Sequence, residues 1–421
     1  MTHAATRRDF LRQAAALAAA AHTGLLASPL RAAPPAAKTP PALVAVFLRG
    51  GADWLNMVVP WKDSDYHTVR PTIRLGEDEG VLPLDSRFAL HPALAPLAPL
   101  YQSKVLAPVI NAGSPHGTRS HFDAQDFMER GAPGLRNITS GWLSRYLAAT
   151  AKPGGSEFRA LAMKEVLPRS LRGDHPALAV PTSMDKKKGQ LTLGRFEEFY
   201  GDGMPGAESE QGAMKGRDEE AAKGEEVVQS GRMTIDTLRR YHEITAAAGS
   251  GRGAYPASRF GDAMRIIATV LKADAGLEVA AVDYPGWDHH INQGGIEGRQ
   301  QQMLADYAQT MAAFAADLGE RLETTLAVTM TEFGRTVAEN GNNGTDHGRG
   351  GGMFLLGGGV KGGKVHGDWR GLQPDALADG RDLPVTTDFR DVLAAGLDGV
   401  FGFRAPKDFF PDYKPGRTKL F

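Results

Sequence analysis

Leu43-Val44-Ala45-Val46-Phe47-Leu48 is the stretch that decides the fold, bounded by Pro40 and Pro41 ahead and by Gly50 and Gly51 behind. A strand with one wet face alternates apolar and polar residues. A run that is apolar on both alternating faces suits a central strand covered by helices on both sides. Residues 105–110, 277–282 and 326–330 share this character, and 353–356 is a shorter version. Helical stretches lie between them, at 93–101, 232–248, 258–273 and 298–323. In the last of these, Leu304, Tyr307, Met311, Phe314 and Leu318 recur at spacings of three and four, one apolar helix face. Strands alternating with helices predict a three-layer α/β/α sandwich on a mostly parallel sheet, with residues 42–421 as one domain.

The composition excludes several function classes. The 421 residues carry 48 Lys+Arg against 49 Asp+Glu, a formal net charge of −1, without the basic excess of a nucleic-acid binder. There is no cysteine, hence no thiol nucleophile, thiolate zinc site, Cys-ligated iron–sulfur cluster or disulfide. Any metal must be held by His, Asp, Glu, amides or water. At the N-terminus, Arg7-Arg8-Asp9-Phe10-Leu11 precedes an alanine-rich run and small residues near Ala32 and Ala33. This is the pattern of a cleavable twin-arginine export signal over residues 1–33, followed by a Pro-rich linker at 34–41. The expected location is the periplasm or outside the cell, with the twin-arginine translocase as partner in transit. No later run of 18 apolar residues occurs, so no membrane span is expected. Residues 205–229, rich in Glu, Lys, Asp, Gly and Ala, read as a solvated excursion.

Open parallel sheets gather ligands just past the carboxyl ends of their strands. Asp53 and Asn56 follow the first run, Ser120 and His121 the second, Asp288 and His290 the third, and Glu332 and Arg335 the fourth. Asp346 and His347 stand ahead of the run at 353–356. Residues two apart in an extended loop point the same way, so Asp288 and His290 can grip one ion. Mixed imidazole and carboxylate ligands suit zinc, manganese, iron or nickel, whereas an all-oxygen set leans towards magnesium or calcium. Each Asp–His pair alone is equally a turn with a capping carboxylate; their shared place at strand ends favours a metal or anion site. Ser120 is either a nucleophile at a helix start or the N-cap of a helix over 121–130, with Asp123 completing a capping-box-like pair. His91 caps or packs ahead of the helix that starts at Ala93. Arg335 and Arg349 offer forked donors for phosphate or sulfate oxygens, or make surface salt bridges. The glycines at 348–352 and Gly362-Gly363-Lys364 do not form a phosphate loop, because Val365 stands where Ser or Thr is required.

A set of motifs in fixed order carries a resemblance. They are the paired arginines, Leu48-Arg49-Gly50-Gly51-Ala52-Asp53, Arg119-Ser120-His121-Phe122-Asp123-Ala124-Gln125-Asp126 and Gly286-Trp287-Asp288, then Thr331-Glu332-Phe333-Gly334-Arg335-Thr336, Thr345-Asp346-His347-Gly348-Arg349-Gly350 and Thr386-Thr387-Asp388-Phe389-Arg390-Asp391-Val392. Together they resemble a large family of exported bacterial proteins, the domain of unknown function fifteen-oh-one. That family is similar to the alkaline-phosphatase-like superfamily, which also holds sulfatases. The resemblance implies an alkaline-phosphatase-like α/β/α domain with one or two divalent ions at the sheet edge, zinc, manganese, calcium and magnesium not being distinguished. It implies Asp53, Asp288, His290, Glu332 and His347 as metal ligands, Asp346 as a further one, and Ser120 or Thr118 as nucleophile. Phe333 stands where a His ligand is common. Arg335 or Arg349 would steady the anionic oxygens, His121 or His91 would protonate the leaving group, and Arg349, Asn56 and His91 are candidate substrate contacts. The expected function is an exported, metal-dependent hydrolase of phosphate or sulfate esters, acting on an anionic small molecule or a polysaccharide ester. For the latter, Trp54, Trp287 and Trp369 are candidate sugar-stacking residues. The alternative is a periplasmic binding or partner protein that keeps the scaffold without turnover.

Overall fold

The computed structural model describes residues 39–152, 158–182, 234–249 and 251–421. The export signal at 1–33 and the polar excursion at 205–229 lie outside the described residues. In chain order the strands are β1 (Ala42–Arg49), β2 (Val58–Val59), β3 (Leu82–Pro83), β4 (Ala89–Leu90), β5 (Leu106–Gly113), β6 (Ala160–Ala162), β7 (Leu178–Ala179), β8 (Val279–Pro285), β9 (Thr325–Met330), β10 (Gly351–Gly357) and β11 (Thr387–Asp388). Eight of them form one sheet in the order β11-β5-β10-β9-β1-β8-β6-β7; β2, β4 and β3 make a small antiparallel sheet beside it. The first run therefore lies centrally, pairing in parallel with β8 on one side and β9 on the other.

Alternation along β1 divides the core in two. Val44, Val46 and Leu48 face one apolar cluster, shared with α3 (Arg259–Lys272) and α4 (Arg299–Leu318). Leu43, Ala45 and Phe47 face the other, shared with α2 (Trp142–Ala149) and α5 (Phe389–Phe401). Burial on both faces is what a continuous apolar strand requires, and it gives the expected three layers.

One strand reverses. β10 runs antiparallel to both β5 and β9, so its first residue, Gly351, lies opposite Ala112 near the end of β5. The segment entering β10 thus arrives at the edge where the parallel strands finish. The loops after β1, β8 and β9 meet the lead-in to β10 there, together with α1 (His121–Arg130).

Two helical expectations are corrected by backbone chemistry. Residues 93–101 are a 3-10 turn, Pro92–Leu97, followed by a short helix, Ala98–Gln102. Pro96 and Pro99 lack the N–H donors that a continuous α-helix would use. The long helix expected over 298–323 ends at Leu318, where Gly319 turns to φ 54° and a 3-10 turn, Gly319–Glu323, follows.

Candidate metal centre

Four side chains converge at the sheet edge: His121 from the start of α1, Asp288 and His290 from the loop after β8, and His347 from the lead-in to β10. His347 Nε2 lies 3.0 Å from His121 Nε2, 3.0 Å from His290 Nε2 and 3.1 Å from Asp288 Oδ1. Asp288 Oδ1 is also 2.9 Å from His290 Nε2. Ligand atoms of His121, Asp288 and His347 all lie within 4.8 Å of one another, the group among the described residues spaced to hold an ion.

The outer nitrogens decide what the inner ones can do. His347 Nδ1 lies 2.8 Å from the carbonyl of Arg119, which can only accept, so that nitrogen carries the hydrogen. His121 Nδ1 lies 2.8 Å from Glu332 Oε1, and His290 Nδ1 lies 3.0 Å from Asp346 Oδ1. Donation to these carboxylates turns all three Nε2 lone pairs inward, against each other and against Asp288. Lone pairs at 3.0 Å repel unless a proton or a cation lies between them. Donors about 2.0–2.1 Å from a zinc-like ion sit roughly 3 Å from one another, the separation found here. Imidazoles oriented by outer carboxylates and a carbonyl are the usual surroundings of metal-ligating histidines. The residues fit a divalent ion.

The electrostatics of the carboxylates agrees. Burial pushes the Asp288 carboxyl up, but the hydrogen bond and charge of Arg335 outweigh it and hold the group at about 2. Glu332 is buried, which by itself would raise it; hydrogen bonds from His121, Gln125 and the Gly50 N–H bring it below its ordinary range. Burial lowers His347, which favours a free Nε2 lone pair, whereas the hydrogen bond to Glu332 raises His121 and favours positive charge at its Nε2, a proton or a cation. Asn340 and His290, both bonded to Asp346, lower that carboxyl. Both carboxylates behind the imidazoles are thus ionised at neutral pH and accept.

Arg335 is a clasp. Its side chain is fully buried. It donates through Nε to the Gly51 carbonyl, through Nη1 to Thr345 O at 2.9 Å, and through Nη2 to Asp288 Oδ1 at 2.6 Å, Trp287 O at 3.1 Å and the Gly50 carbonyl. One guanidinium therefore ties the loops after β1 and β8 to the lead-in of β10. The loops can approach because residue 50 is glycine: it sits at φ 121°, and a Cβ there would lie 2.6 Å from the Asp288 nitrogen.

The expected site residues fall into three groups. Asp288, His290 and His347, the expected ligands, are brought together, and His121, expected as a proton donor, joins them with both nitrogens engaged. Glu332 and Asp346 stand behind the imidazoles instead of among the inward-facing donors. The others are turned to different work. Arg70 grips the Asp53 carboxylate through Nη1 at 2.6 Å and Nη2 at 3.0 Å, and Gln293 adds a bond of 2.6 Å. That carboxylate does not reach the cluster. Asn56 is buried between Arg70, Tyr66 and the Ile73 carbonyl. His91 accepts from the Ala93 N–H at 2.9 Å and donates to the Gly295 carbonyl at 3.0 Å, so it is a buried cap with no free nitrogen. The expectation that Arg335 steadies substrate oxygens is corrected by its enclosure. Ser120 holds the N-cap position of α1, exposed, and its hydroxyl makes no capping bond; Asp123 pairs with Arg136 at 2.9 Å. Arg349 is partly exposed, 3.7 Å from Asp379. Phe333 packs its ring 4.8 Å from His121 and 4.9 Å from His347, an apolar wall for the cluster.

Sequence reasoning passed over Gln125, whose Nε2 donates to Glu332 Oε1 at 2.7 Å while its Oε1 accepts from Arg49 at 3.0 Å. The signal was present: Gln125 is four residues after His121 and so shares its helix face. Arg70, Arg119 and Asn340 carried no such signal.

Fold and site define a class: a three-layer α/β/α protein with a His-rich cluster, spaced to hold an ion, at the strand ends of a mostly parallel sheet. The chain belongs to the family described as "Protein of unknown function (DUF1501)", whose model matches residues 107–405. No curated protein matches the sequence at a significant level. Among solved structures, the PsFucS1 sulfatase from Pseudoalteromonas sp. is similar with a TM-score of 0.35 and 11% identity, over 94% of this chain and 71% of that one. No helix among the described residues is long and apolar enough to cross a membrane.

Proposed function

We propose that the chain is an exported, metal-dependent hydrolase of phosphate or sulfate esters. The observation that supports this best is the inward convergence of three imidazole lone pairs and the Asp288 carboxylate, each imidazole oriented by its own acceptor. His121, His290, His347 and Asp288 would hold one divalent ion. Three nitrogens in the set favour zinc, manganese, iron or nickel over magnesium or calcium. Such an ion supplies Lewis-acid polarisation of an ester's anionic oxygens.

The remaining tasks fall to the chain. Glu332 and Asp346 fix the tautomers of His121 and His290. Arg335 holds Asp288 ionised and in place. Ser120, exposed beside His121 and free of a capping bond, is the candidate nucleophile. Its oxygen would pass its proton to water and bond to phosphorus or sulfur as the ester bond breaks, and the leaving oxygen would take up a proton; a further water would then cleave the seryl ester and restore the hydroxyl. Neither His121 nor His91 has a nitrogen to spare for delivering that proton, so water is the source this reading requires.

Metal analysis of the exported protein, purified without chelators, is the first test. About one equivalent of a transition metal, lost in His347→Ala, supports the centre. Hydrolysis of a phosphate or sulfate ester that disappears in Ser120→Ala with metal retained supports the reaction. A folded protein that takes up no metal would overturn the proposal. Metal without turnover across a broad ester panel would favour the periplasmic binding protein, a reading that the full commitment of Arg335 to its own chain also supports.

A further inference from the structure

We propose that Arg119 and Arg349 form a subsite for a sulfate or phosphate group, and that Asp379 fills it in the free protein as an internal, displaceable anion. This deepens the ester-hydrolase reading and rests on it for the reaction, while the anion site itself is measured separately.

Both arginines are anchored to the metal centre. The Arg119 carbonyl takes the His347 Nδ1 hydrogen, and Arg349 lies two residues beyond His347. A third, Arg381, donates to the His347 carbonyl at 3.0 Å. Two aspartates answer these three cations, and they differ sharply. The Asp382 side chain is fully buried and bonds Arg119 through Nε at 3.2 Å and through Nη2. The Asp379 side chain is 65% exposed, with Oδ2 at 3.5 Å from Arg119 and 3.7 Å from Arg349. Good charge-assisted bonds run about 2.7–2.9 Å, so Asp379 is loosely held. It is also the sole ion-pair partner of Arg349 among the described residues. Asp382 builds the site and Asp379 merely fills it.

The backbone explains how Asp379 is presented. Ala378 and Asp382 exchange hydrogen bonds of 2.9 and 3.0 Å, closing a hairpin whose tip carries Asp379 at φ 56° and Gly380 at φ 62°. The tip therefore holds a carboxylate over two guanidinium forks without burying it. A tetrahedral oxyanion offers more acceptor oxygens than one carboxylate oxygen shared at 3.5–3.7 Å, and guanidinium forks suit it. Displacing Asp379 costs little, because exposed pairs contribute little.

Asp379→Asn separates charge from shape, since Asn tolerates the left-handed backbone at this tip. Inorganic sulfate and inorganic phosphate are titrated calorimetrically into the full chain as purified, with metal content measured alongside. Asp379→Asn should bind them about two- to fivefold more tightly than wild type, the worth of an exposed ion pair. Arg349→Gln should bind at least about fivefold more weakly. Asp375→Asn, removing a nearby exposed charge in the Pro374–Ala376 turn, should change nothing. Equal affinity in Asp379→Asn and wild type, or an equal gain in Asp375→Asn, would overturn the subsite. If the anions respond as expected while no ester is cleaved, the subsite stands and the hydrolase reading fails. If esters are cleaved while all variants bind the anions alike, the subsite fails and the hydrolase reading stands.

Discussion

Two aspartate–arginine pairs at the same sheet edge have opposite fates. Asp53 with Arg70 is sealed: its side chains are 3% and 0% exposed, and Gln293, Asn56 and the carbonyls of Val337 and Thr336 take up the remaining bonding capacity. Asp288 with Arg335 is open on one side: the arginine is fully buried, the carboxylate 42% exposed, and three imidazole nitrogens lie within 3.4 Å of it. A closed pair is a structural joint. An open pair keeps a charged oxygen in reserve beside other donors, which is what a ligand site needs. The same chemistry thus serves stability or function according to whether its last lone pairs are already taken.

The largest expected effect comes from opening the sealed pair. Arg70→Met leaves the Asp53 carboxylate buried with Gln293 as its remaining side-chain partner. Removing one member of a buried pair costs about 3–5 kcal/mol. Urea unfolding should show that loss, with the metal content of the folded fraction unchanged; a variant as stable as wild type would mean that the sealed pair is not a structural joint. At the open pair the order reverses. His290→Gln should change metal-free stability by less than about 1 kcal/mol, since its side chain is well exposed, whereas Asp288→Asn also removes the counter-charge of the buried Arg335 and should cost more than that. Metal affinity, followed by competition with a chelator, should fall by more than the roughly 10–100-fold that outer partners are worth. Undiminished affinity in Asp288→Asn would place the ion elsewhere.

A smaller effect is expected one layer out. Arg49, held by Glu129 at 2.9 Å and Asp283 at 2.7 Å, can only donate, so it fixes the Gln125 oxygen towards itself and the amide N–H towards Glu332. Gln125→Glu sets a second carboxylate against Glu332 and disturbs the orientation of His121. Metal affinity should drop about 10–100-fold with the fold intact, whereas Gln125→Ala should cost less. An unaltered affinity in both would show that Glu332 holds His121 unaided.

These residues also mark what was legible in advance. The central strands were readable because burial on both faces leaves a long apolar run. β6, β7 and β11, with three, two and two residues, are too short to carry a pattern. The cluster was readable as to which loops supply it, because strand ends collect chemistry whatever the substrate. Which aspartate stays open was not readable. That depends on Arg70, seventeen residues from Asp53, and on Arg335, forty-seven from Asp288, finding their carboxylates in three dimensions. Nor does a sequence show that Glu332 and Asp346 point at imidazole nitrogens instead of the centre between them.

The smallest effect tests the sealed side by pH. Burial lowers His91 below its ordinary value. It is neutral in the folded chain, its Nδ1 accepting from Ala93 and its other nitrogen donating to Gly295. Unfolded, it takes up a proton near pH 6.5. The unfolded chain therefore binds more protons below that pH, so the stabilisation is complete above about 6.5 and is lost as the pH falls towards the folded value. The loss is at most about 1.4 kcal/mol per pH unit for one proton. His91→Asn can still accept from Ala93 but does not titrate. Its stability should begin lower at pH 7.5, for want of the Gly295 bond, and then decline less than wild type between pH 7 and 5. Parallel pH profiles for the two proteins would mean that His91 is not held neutral, and that the cap tolerates charge.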